Sequence, residues 1–245
     1  MVIAILGLAE LAARKGWVSN LILPAPTDVW STLRLGFEQG AYWEHIEATV
    51  IGTLGGFFIA AVSAVLLAGI MVSVPRLERV FMPIVAAFQT LPKIAIAPLI
   101  ILWLGFGETG KIVTAALGCF FPILVNALQG FRVRDVEQVE LFASLGASRY
   151  QMFRFVRFPN AIPFIMAGFH IGILFALVGA IVADFVGSQP GLGYRLLIDK
   201  ETFNVPGVYA VLVILMVFGI ILHVVLRLIE RRVAFWAEDM SHGKI

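Results

Sequence analysis

The sequence predicts an all-α polytopic membrane protein, and the composition and the apolar runs carry this prediction. Of the 245 residues, 60% are hydrophobic and only 14% are charged, whereas a soluble domain is about 45–50% apolar and about 25% charged. This balance excludes an ordinary soluble enzyme, and it also excludes a disordered chain. The net charge of +2 gives no electrostatic basis for binding a nucleic acid.

Five continuous apolar runs are long enough to cross a bilayer as helices, because about 20 residues at 1.5 Å each span the hydrocarbon layer. The shorter run 1–13 is predicted to be a sixth span. Runs that are continuously apolar exclude a β-barrel, whose strands alternate apolar and polar residues. We therefore expect a single transmembrane domain, 1–245, with about six membrane-spanning helices. The five longer runs are 49–73, 80–104, 111–131, 160–183 and 206–229.

The positions of Lys and Arg predict the orientation, because cytoplasmic segments of membrane proteins carry an excess of both. With six spans, most of these residues fall on the side that holds both termini. The segment 132–159 lies on that side, so it is expected to be cytoplasmic, as are both termini. On the opposite side, the segment 25–45 is predicted to contain an amphipathic interfacial helix over 29–37, capped by Asp28.

One stretch resembles a nucleotide-binding motif, but no such site is predicted there. Residues 105–110 match G-x-G-x-x-G, yet the dinucleotide fingerprint follows a strand, and this stretch follows an apolar helix. A phosphate-binding loop needs Ser or Thr after its Lys, and Ile112 follows Lys111. A tight turn between two helices is predicted instead. The single cysteine, Cys119, is predicted to be a small buried apolar residue, and no metal site is predicted.

Polar side chains inside the spans are candidates for a translocation pathway, because a polar group in lipid is unfavourable unless it pairs or faces water. Hydrogen bonding between helices is the alternative explanation, and the sequence leaves both open. Small residues at four-residue spacing, from Gly168 to Ala180, predict a face of close helix–helix contact. The pathway candidates are Gln89, Thr90, Lys93, Asn126, Gln129, His170 and Asp184.

The segment 132–159 interrupts the apolar pattern and carries several helix-end signals. Asp135 is predicted to cap one helix, and Gly146 to end that helix in the left-handed conformation. Ser148 is predicted to cap a second short helix that Pro159 stops. Two capped helices on the cytoplasmic face indicate a docking surface for a soluble protein. An amphipathic loop resting on anionic lipid is the alternative.

The same segment resembles the EAA loop of ABC-importer permeases, whose pattern is E-A-A-x3-G-x9-I-x-L-P. Every spacing agrees, although Leu141 and Phe142 replace the two alanines and Val156 and Phe158 replace Ile and Leu. Roughly residues 20–236 resemble the nitrate/sulfonate/taurine branch of these permeases. In that branch Glu is common at position 184, and Arg at position 170. The stretches that carry the resemblance are 140–142, 145–148, 156–159, 92–107, 191–194 and 230–232.

This resemblance implies a type I ABC importer permease in the bacterial inner membrane. The implied assembly is a homodimer of permeases with two cytoplasmic ATPase subunits and an extracytoplasmic solute-binding protein. ATP and Mg would bind the ATPase, so this chain is expected to bind no cofactor and to be no enzyme. The implied solute is nitrate, a sulfonate, taurine or a similar small anion. The residues implied to couple to the ATPase are Glu140, Ala143, Ser144, Leu145, Gly146, Ala147, Ser148 and Pro159.

A self-contained secondary transporter or channel is the alternative function. Such a protein would use acidic groups within the membrane for ion coupling, and only Asp184, near the end of a span, offers one. It would also often show inverted repeats, and none is apparent in the sequence.

Overall fold

The computed structural model describes residues 2–90, 92–132, 136–187 and 189–235, apart from the side chains of Val2, Ile3, Pro75, Gln89, Lys93, Ile94 and Val136. Every regular element in these ranges is a helix, which agrees with the predicted all-α class. Helices suit a membrane because all their backbone hydrogen bonds form within the segment. Four segments have the length and composition of membrane spans: Trp43–Ser73, Glu108–Arg132, Arg149–Val186 and Val205–Val233.

The helices of the described ranges run in chain order as follows: α1 (Val2–Arg14), α2 (Pro26–Glu38), α3 (Trp43–Ser73), α4 (Pro75–Thr90), α5 (Lys93–Leu104), α6 (Glu108–Arg132), α7 (Val136–Ser144), α8 (Arg149–Met152), α9 (Phe158–Val186), α10 (Leu192–Glu201) and α11 (Val205–Val233). A π-helical turn over Phe153–Arg157 joins α8 to α9 without a break. The segment Arg149–Val186 is therefore one continuous helical rod.

Helix α6 is the centre of the bundle and packs closely against both α3 and α9. Small residues permit this approach, since a Cβ atom added to Gly118 would lie 2.9 Å from the carbonyl oxygen of Phe175. Cys119 is fully buried in the same core, as predicted. The predicted close-contact face of α9 is also confirmed, because all its members are buried: Gly168, Gly172, Ala176 and Ala180.

The contacts along each helix pair fix the relative directions of the helices. Along α3 and α6, Gly52 meets Lys111 and Gly69 approaches Phe131 further on, so these two helices run parallel. The α9 helix runs antiparallel to α6, and α11 antiparallel to α9. Helix α7 therefore lies at one end of the bundle, and α10 at the opposite end. We refer to these as the α7 end and the α10 end.

The predicted amphipathic helix of the 25–45 segment is confirmed as α2. Its apolar side chains Val29, Leu33 and Phe37 join a core cluster with residues of α10 and α11. The predicted cap is wrong, because the helix begins at Pro26 and Asp28 lies within its first turn. Proline suits the first helical position, where its missing N–H leaves no hydrogen bond unmade.

The run 80–104 does not form one continuous helix, contrary to the prediction. It is divided between α4, which ends at Thr90, and α5, whose N-cap is Pro92 with an extended backbone (ψ of 92°). Proline has no N–H to continue the hydrogen-bond ladder of a helix, so it separates two helices here. Helix α1 has 13 residues and is about 20 Å long. The six-span arrangement stays a prediction.

The turn over 105–110 joins α5 to α6, as predicted. Gly105 has a φ of +89° and lies between the two helices. A Cβ atom at Gly110 would lie 2.9 Å from the Gly105 carbonyl oxygen. The glycines of this motif thus allow close backbone approach in a helix–helix turn, and the motif follows a helix rather than a strand.

Candidate functional site

The α7 end carries a short helix whose C-terminus is set by a glycine turn. Gly146 has a φ of +72°, and its N–H donates to the Ala143 carbonyl over 3.0 Å. The next N–H, of Ala147, donates to the Phe142 carbonyl over 3.0 Å. This pair of hydrogen bonds is the Schellman motif, so the predicted left-handed helix end is confirmed.

The outward face of α7 and its turn is almost entirely exposed. Leu145 has 74% of its surface accessible and Leu141 has 57%. The remaining exposed members of this face are Glu140, Ala143, Ser144 and Ser148, whereas Ala147 is half-buried. Large exposed apolar side chains within a polar surrounding are typical of a protein contact surface. The predicted cap Asp135 lies outside the described residues.

The second helix of this segment is fixed at its start by a complete capping box. The Gln151 N–H donates to Ser148 Oγ over 3.3 Å, and the Ser148 N–H donates to Gln151 Oε1 over 2.8 Å. The predicted stop at Pro159 is wrong, because the helix continues into α9. The π turn explains this: the Phe158 N–H reaches back to the Phe153 carbonyl, and this wider turn accommodates the proline that follows.

A side-chain hydrogen bond ties α7 to the long rod. The Asn160 Nδ2 donates to Gln138 Oε1 over 3.1 Å. Asn160 lies in the first turn of α9, so α7 and the rod are connected both by the chain and by this bond. A force on α7 would therefore act directly on the start of α9.

Three of the pathway candidates on α4, α5 and α6 have described side chains, namely Thr90, Asn126 and Gln129. The side chains of Gln89 and Lys93 lie outside the described part. Thr90 is exposed and donates to the Ala87 carbonyl of its own helix over 2.7 Å. Asn126 is half-buried and donates to the Pro122 carbonyl, also of its own helix, over 2.8 Å. Gln129 is exposed. Thr90 and Gln129 therefore keep polar atoms exposed at the surface of the single chain.

His170 faces a different neighbour. Its Nε2 lies 2.9 Å from Glu230 Oε2, and its ring centroid lies 4.9 Å from that of His223, both on α11. Asn126 instead lies beside Gly168, on another face of α9. The structure therefore separates His170 from Asn126 and places it in a polar seam between α9 and α11.

Asp184 is completely buried at the α10 end, where it pairs with Lys111. Asp184 Oδ1 lies 2.7 Å from Lys111 Nζ, and the two side chains are 0% and 1% exposed. Lys111 also donates to the Pro190 carbonyl. Asp184 Oδ2 accepts from the Gly193 N–H at the start of α10 over 3.0 Å. A buried ion pair of this kind is sustained by such additional hydrogen bonds.

Sequence reasoning missed the cluster around this ion pair. A Cβ atom at Gly191 would lie 2.1 Å from Asp184 Oδ2, and one at Gly52 would lie 2.4 Å from the Lys111 Cδ atom. The Leu192 N–H donates to Thr49 Oγ1 over 2.9 Å. Glycines at 191 and 193, close after an acidic residue in a span, were the available signal. This signal can be interpreted as a buried ion pair only once α3, α6 and α9 are known to meet here.

The fold and these two ends define a class of protein: a multi-pass helical membrane protein with an exposed helix at one end. The match of residues 52–235 to a family described as the binding-protein-dependent transport system inner membrane component identifies the class further. The chain belongs to this family and is a transport permease of the inner membrane. Membership implies an ATPase and a solute-binding protein as partners.

Several curated relatives cover most of their own length and most of this chain. The riboflavin transport system permease protein RibX of Chloroflexus aurantiacus is 36% identical over 215 residues, covering 88% of this chain and 80% of the relative. The formylaminopyrimidine transport permease protein ThiX of Halalkalibacterium halodurans is 32% identical, covering 88% and 86%. The taurine transport system permease protein TauC of Escherichia coli is 30% identical, covering 93% and 83%.

The fold also resembles a solved structure. An inward-facing conformation of the MetNI methionine ABC transporter superposes with a TM-score of 0.64 at 22% identity, covering 78% of this chain and 93% of the other. At this identity the likeness shows a shared fold.

Proposed function

We propose that this chain is the permease subunit of an ATP-driven ABC importer, forming the pathway for a small solute and coupling to cytoplasmic ATPase subunits through α7. The observation that carries the proposal is the exposed α7 face, held in a fixed orientation by the Gly146 turn and by the Ser148 capping box. In the proposed assembly two permease copies, each with about six spans, meet two ATPase subunits and one binding protein.

In the proposed mechanism α7 sits in a groove of the ATPase, with Glu140 as a polar contact and Leu141 and Leu145 as apolar contacts. Closure of the ATPase pair around ATP displaces α7. The Gln138–Asn160 bond and the connecting chain pass this displacement to the rod Arg149–Val186. Because a continuous helix moves as a unit, the α10 end moves too, and the bundle changes from inward-open to outward-open. Hydrolysis resets it.

The proposed orientation places the α7 end and both termini in the cytoplasm and the α10 end outside. Three basic side chains at the start of the rod, Arg149, Arg154 and Arg157, support this assignment, because positive residues concentrate on the cytoplasmic side. Arg227, Arg231 and Arg232, at the end of α11, lie at the same end of the bundle.

The translocation pathway is proposed to be lined by polar residues of α4, α5 and α6: Gln89, Thr90, Lys93, Asn126 and Gln129. His170 and Asp184 remain candidates, although both have partners that would give a substitution a structural cost. Replacing Asn126 by Leu is therefore the better test. We expect uptake to fall while the ATPase still co-purifies with the permease, and loss of the ATPase would assign Asn126 a folding role.

Two solute classes are proposed, and the charges within the described spans bear on the choice. The buried cation Lys111 is neutralised by Asp184, which leaves a small anion such as nitrate, a sulfonate or taurine without that charge to attract it. Polar heterocycles, the class named for the riboflavin and formylaminopyrimidine relatives, need no such charge. Competition of a labelled heterocycle and a labelled sulfonate for ATP-dependent uptake in vesicles distinguishes the classes.

The sharpest test of coupling is the substitution Gly146→Asp. The new side chain would strain the left-handed turn and place a charge on the docking face, so we expect ATP-dependent uptake to be abolished while membrane insertion is retained. Gly40→Asp is a matched control. Gly40 has a φ of +75° and forms the same type of turn at the end of α2, distant from α7, so this variant should retain uptake.

Wild-type uptake by Gly146→Asp, at equal membrane abundance, would overturn the coupling role of α7. The alternative function, a secondary transporter or channel, makes a different prediction. It requires solute movement in vesicles that contain this chain without any ATPase. Uptake that depends on added ATPase subunits and ATP supports the importer, whereas uptake driven by an ion gradient alone contradicts it.

A further inference from the structure

An aromatic residue at the α10 end occupies a backbone position that is glycine in the other described turns of the same type. Among the described residues, the turns after α1, α2, α7 and α10 share one hydrogen-bond pattern, in which two successive N–H groups reach back three and five residues. The left-handed residue is glycine in three of them: Gly16, Gly40 and Gly146. After α10 it is Phe203, with a φ of +54°. For a residue with a Cβ atom this left-handed conformation is unfavourable by about 1–2 kcal/mol.

The conformation of Phe203 is enforced by a buried polar network. The carboxylate of Asp199, 2% exposed, accepts from Arg195 over 3.1 and 3.2 Å and from Asn204 Nδ2 over 3.0 Å. The Asn204 N–H also donates to the Asp199 carbonyl over 2.8 Å. Residues on both sides of Phe203 are thus anchored to one buried carboxylate.

The same network is anchored to the bundle through Tyr42. The Arg195 guanidinium lies 5.9 Å from the centre of the Tyr42 ring, and Tyr42 is almost fully buried between α2 and α11. Burial, with the Asp199 carboxylate nearby, raises the pKa of the Tyr42 phenol. The Phe203 turn is therefore attached to a rigid part of the molecule.

The Phe203 side chain itself contributes little to this chain's packing, because 77% of its surface is exposed. Its neighbours Lys200, Glu201 and Thr202 are also exposed and polar. Neither burial nor helix capping explains a phenylalanine here, since glycine would form the turn with less strain. A backbone outlier that the surroundings enforce is a reason to look for function.

We propose that Phe203, with its polar rim, is a contact through which this permease binds its solute-binding protein. This inference rests on the proposed function, which places the α10 end outside. A rigid exposed aromatic surrounded by polar residues is typical of a binding hot spot. The family is binding-protein-dependent, so such a partner must reach this side. The fixed turn lowers the conformational entropy lost on binding.

The first test uses the full transporter in proteoliposomes and measures uptake against the concentration of binding protein. Phe203→Gly removes the ring and relaxes the turn, so we expect the variant to keep its fold, which a melting temperature no lower than that of the wild type would verify. We expect the half-saturating concentration of binding protein to rise by at least about tenfold, with Phe203→Trp close to wild type. Trp30→Ala, which removes another exposed aromatic from α2, should leave this concentration unchanged. An unchanged value for Phe203→Gly would overturn the proposal.

The second test separates a protein contact from a lipid contact. Cys119 is the single cysteine of the sequence and is buried, so Phe203→Cys introduces one reactive thiol. In spheroplasts that carry the whole transporter, a membrane-impermeant maleimide should label it, and saturating binding protein should slow the labelling at least about tenfold. No labelling, or labelling that the binding protein does not slow, would contradict the proposal.

The two proposals fail in different ways. If wild-type vesicles show no ATP-dependent uptake, the proposed function fails, and the contact proposal fails with it. If wild-type uptake is normal and Phe203→Gly responds to the binding protein as wild type does, only the contact proposal fails.

Discussion

The helix ends at Gly146 and Phe203 have the same hydrogen-bond pattern, but they differ in backbone strain and in which residues are exposed. At Gly146 the turn is relaxed, no heavy atom lies within 4 Å of the place a Cβ would occupy, and the exposed groups are on the helix itself. At Phe203 the turn is strained, and the exposed group is the turn residue. The first turn positions the helix before it, whereas the second positions one side chain.

The two ends also differ in what holds them to the bundle. Helix α10 is fixed at its start by Asp184, which is paired with Lys111, and at its end by Asp199. Helix α7 is tied by the neutral Gln138–Asn160 bond. Disrupting the α10 end would leave buried charges unpaired, which is energetically unfavourable. The single neutral hydrogen bond of α7 constrains that helix less, so α7 can move with a partner. This contrast fits an outer end that keeps its internal structure while it moves with the rod, and an inner coupling helix that follows its partner.

The largest expected effect comes from breaking the buried pair at the α10 end. Asp184→Leu leaves the Lys111 ammonium buried without a counter-ion and removes the acceptor of the Gly193 N–H. We expect the free energy of unfolding to fall by about 3–5 kcal/mol, measured by thermal unfolding in detergent. The double variant with Lys111→Met should recover most of the loss. A small effect of the single change would show that water reaches the pair.

A smaller loss is expected from Asp199→Ala, which removes the acceptor shared by Arg195 and Asn204. Hydrogen bonds to a charged group contribute about 1.5–3 kcal/mol, and we expect a loss of that size. The amide of Asn204 should also exchange faster, because the turn around Phe203 is released. Glu140→Ala on the exposed face of α7 is the control and should change stability by less than about 0.5 kcal/mol.

Local rules predicted much of the α7 end from sequence. The left-handed Gly146 and the Ser148 capping box depend on residues a few positions apart, so their signals are present in the sequence itself. The predicted helix end at Pro159 was wrong because a π-helical turn accommodates the proline, and no local sequence pattern indicates such a turn. The α10 end was less predictable, since Lys111, Thr49 and Asp184 come from three helices and meet only in the folded bundle.

Phe203 shows the limit of such rules most clearly. Sequence rules place glycine or asparagine at a left-handed helix end, so a phenylalanine at position 203 gave no signal of a turn. Its conformation is dictated by Asp199, four residues earlier, whose burial depends on tertiary packing. Likewise, Pro92 was a sequence signal from which the break in the 80–104 run could have been predicted. The apolar character of the run outweighed that single residue in the prediction.

The next-largest effect is expected at the unstrained turn of Gly146, at the end of α7. Gly146→Ala forces a Cβ into the left-handed region at a cost of about 1–2 kcal/mol. Because α7 is at the periphery, this cost should appear locally, as exchange of the Ala147 amide faster by about 5- to 30-fold, with little change in the melting temperature. Gly40→Ala should behave alike at the end of α2. Unchanged exchange at Ala147 would mean that the turn opens freely already.

The smallest effect has the opposite sign and tests the strained turn. Phe203→Gly relieves about 1–2 kcal/mol of left-handed strain but gives the unfolded chain additional freedom worth about 0.4–1 kcal/mol. At mid-range the difference is a net stabilisation of about 0.8 kcal/mol, and the exposed ring gives up little packing. It should appear as slower exchange of the Asn204 amide and a slightly higher melting temperature. A destabilised Phe203→Gly would show that the ring supports the fold, and the case for a strained contact residue would then be lost.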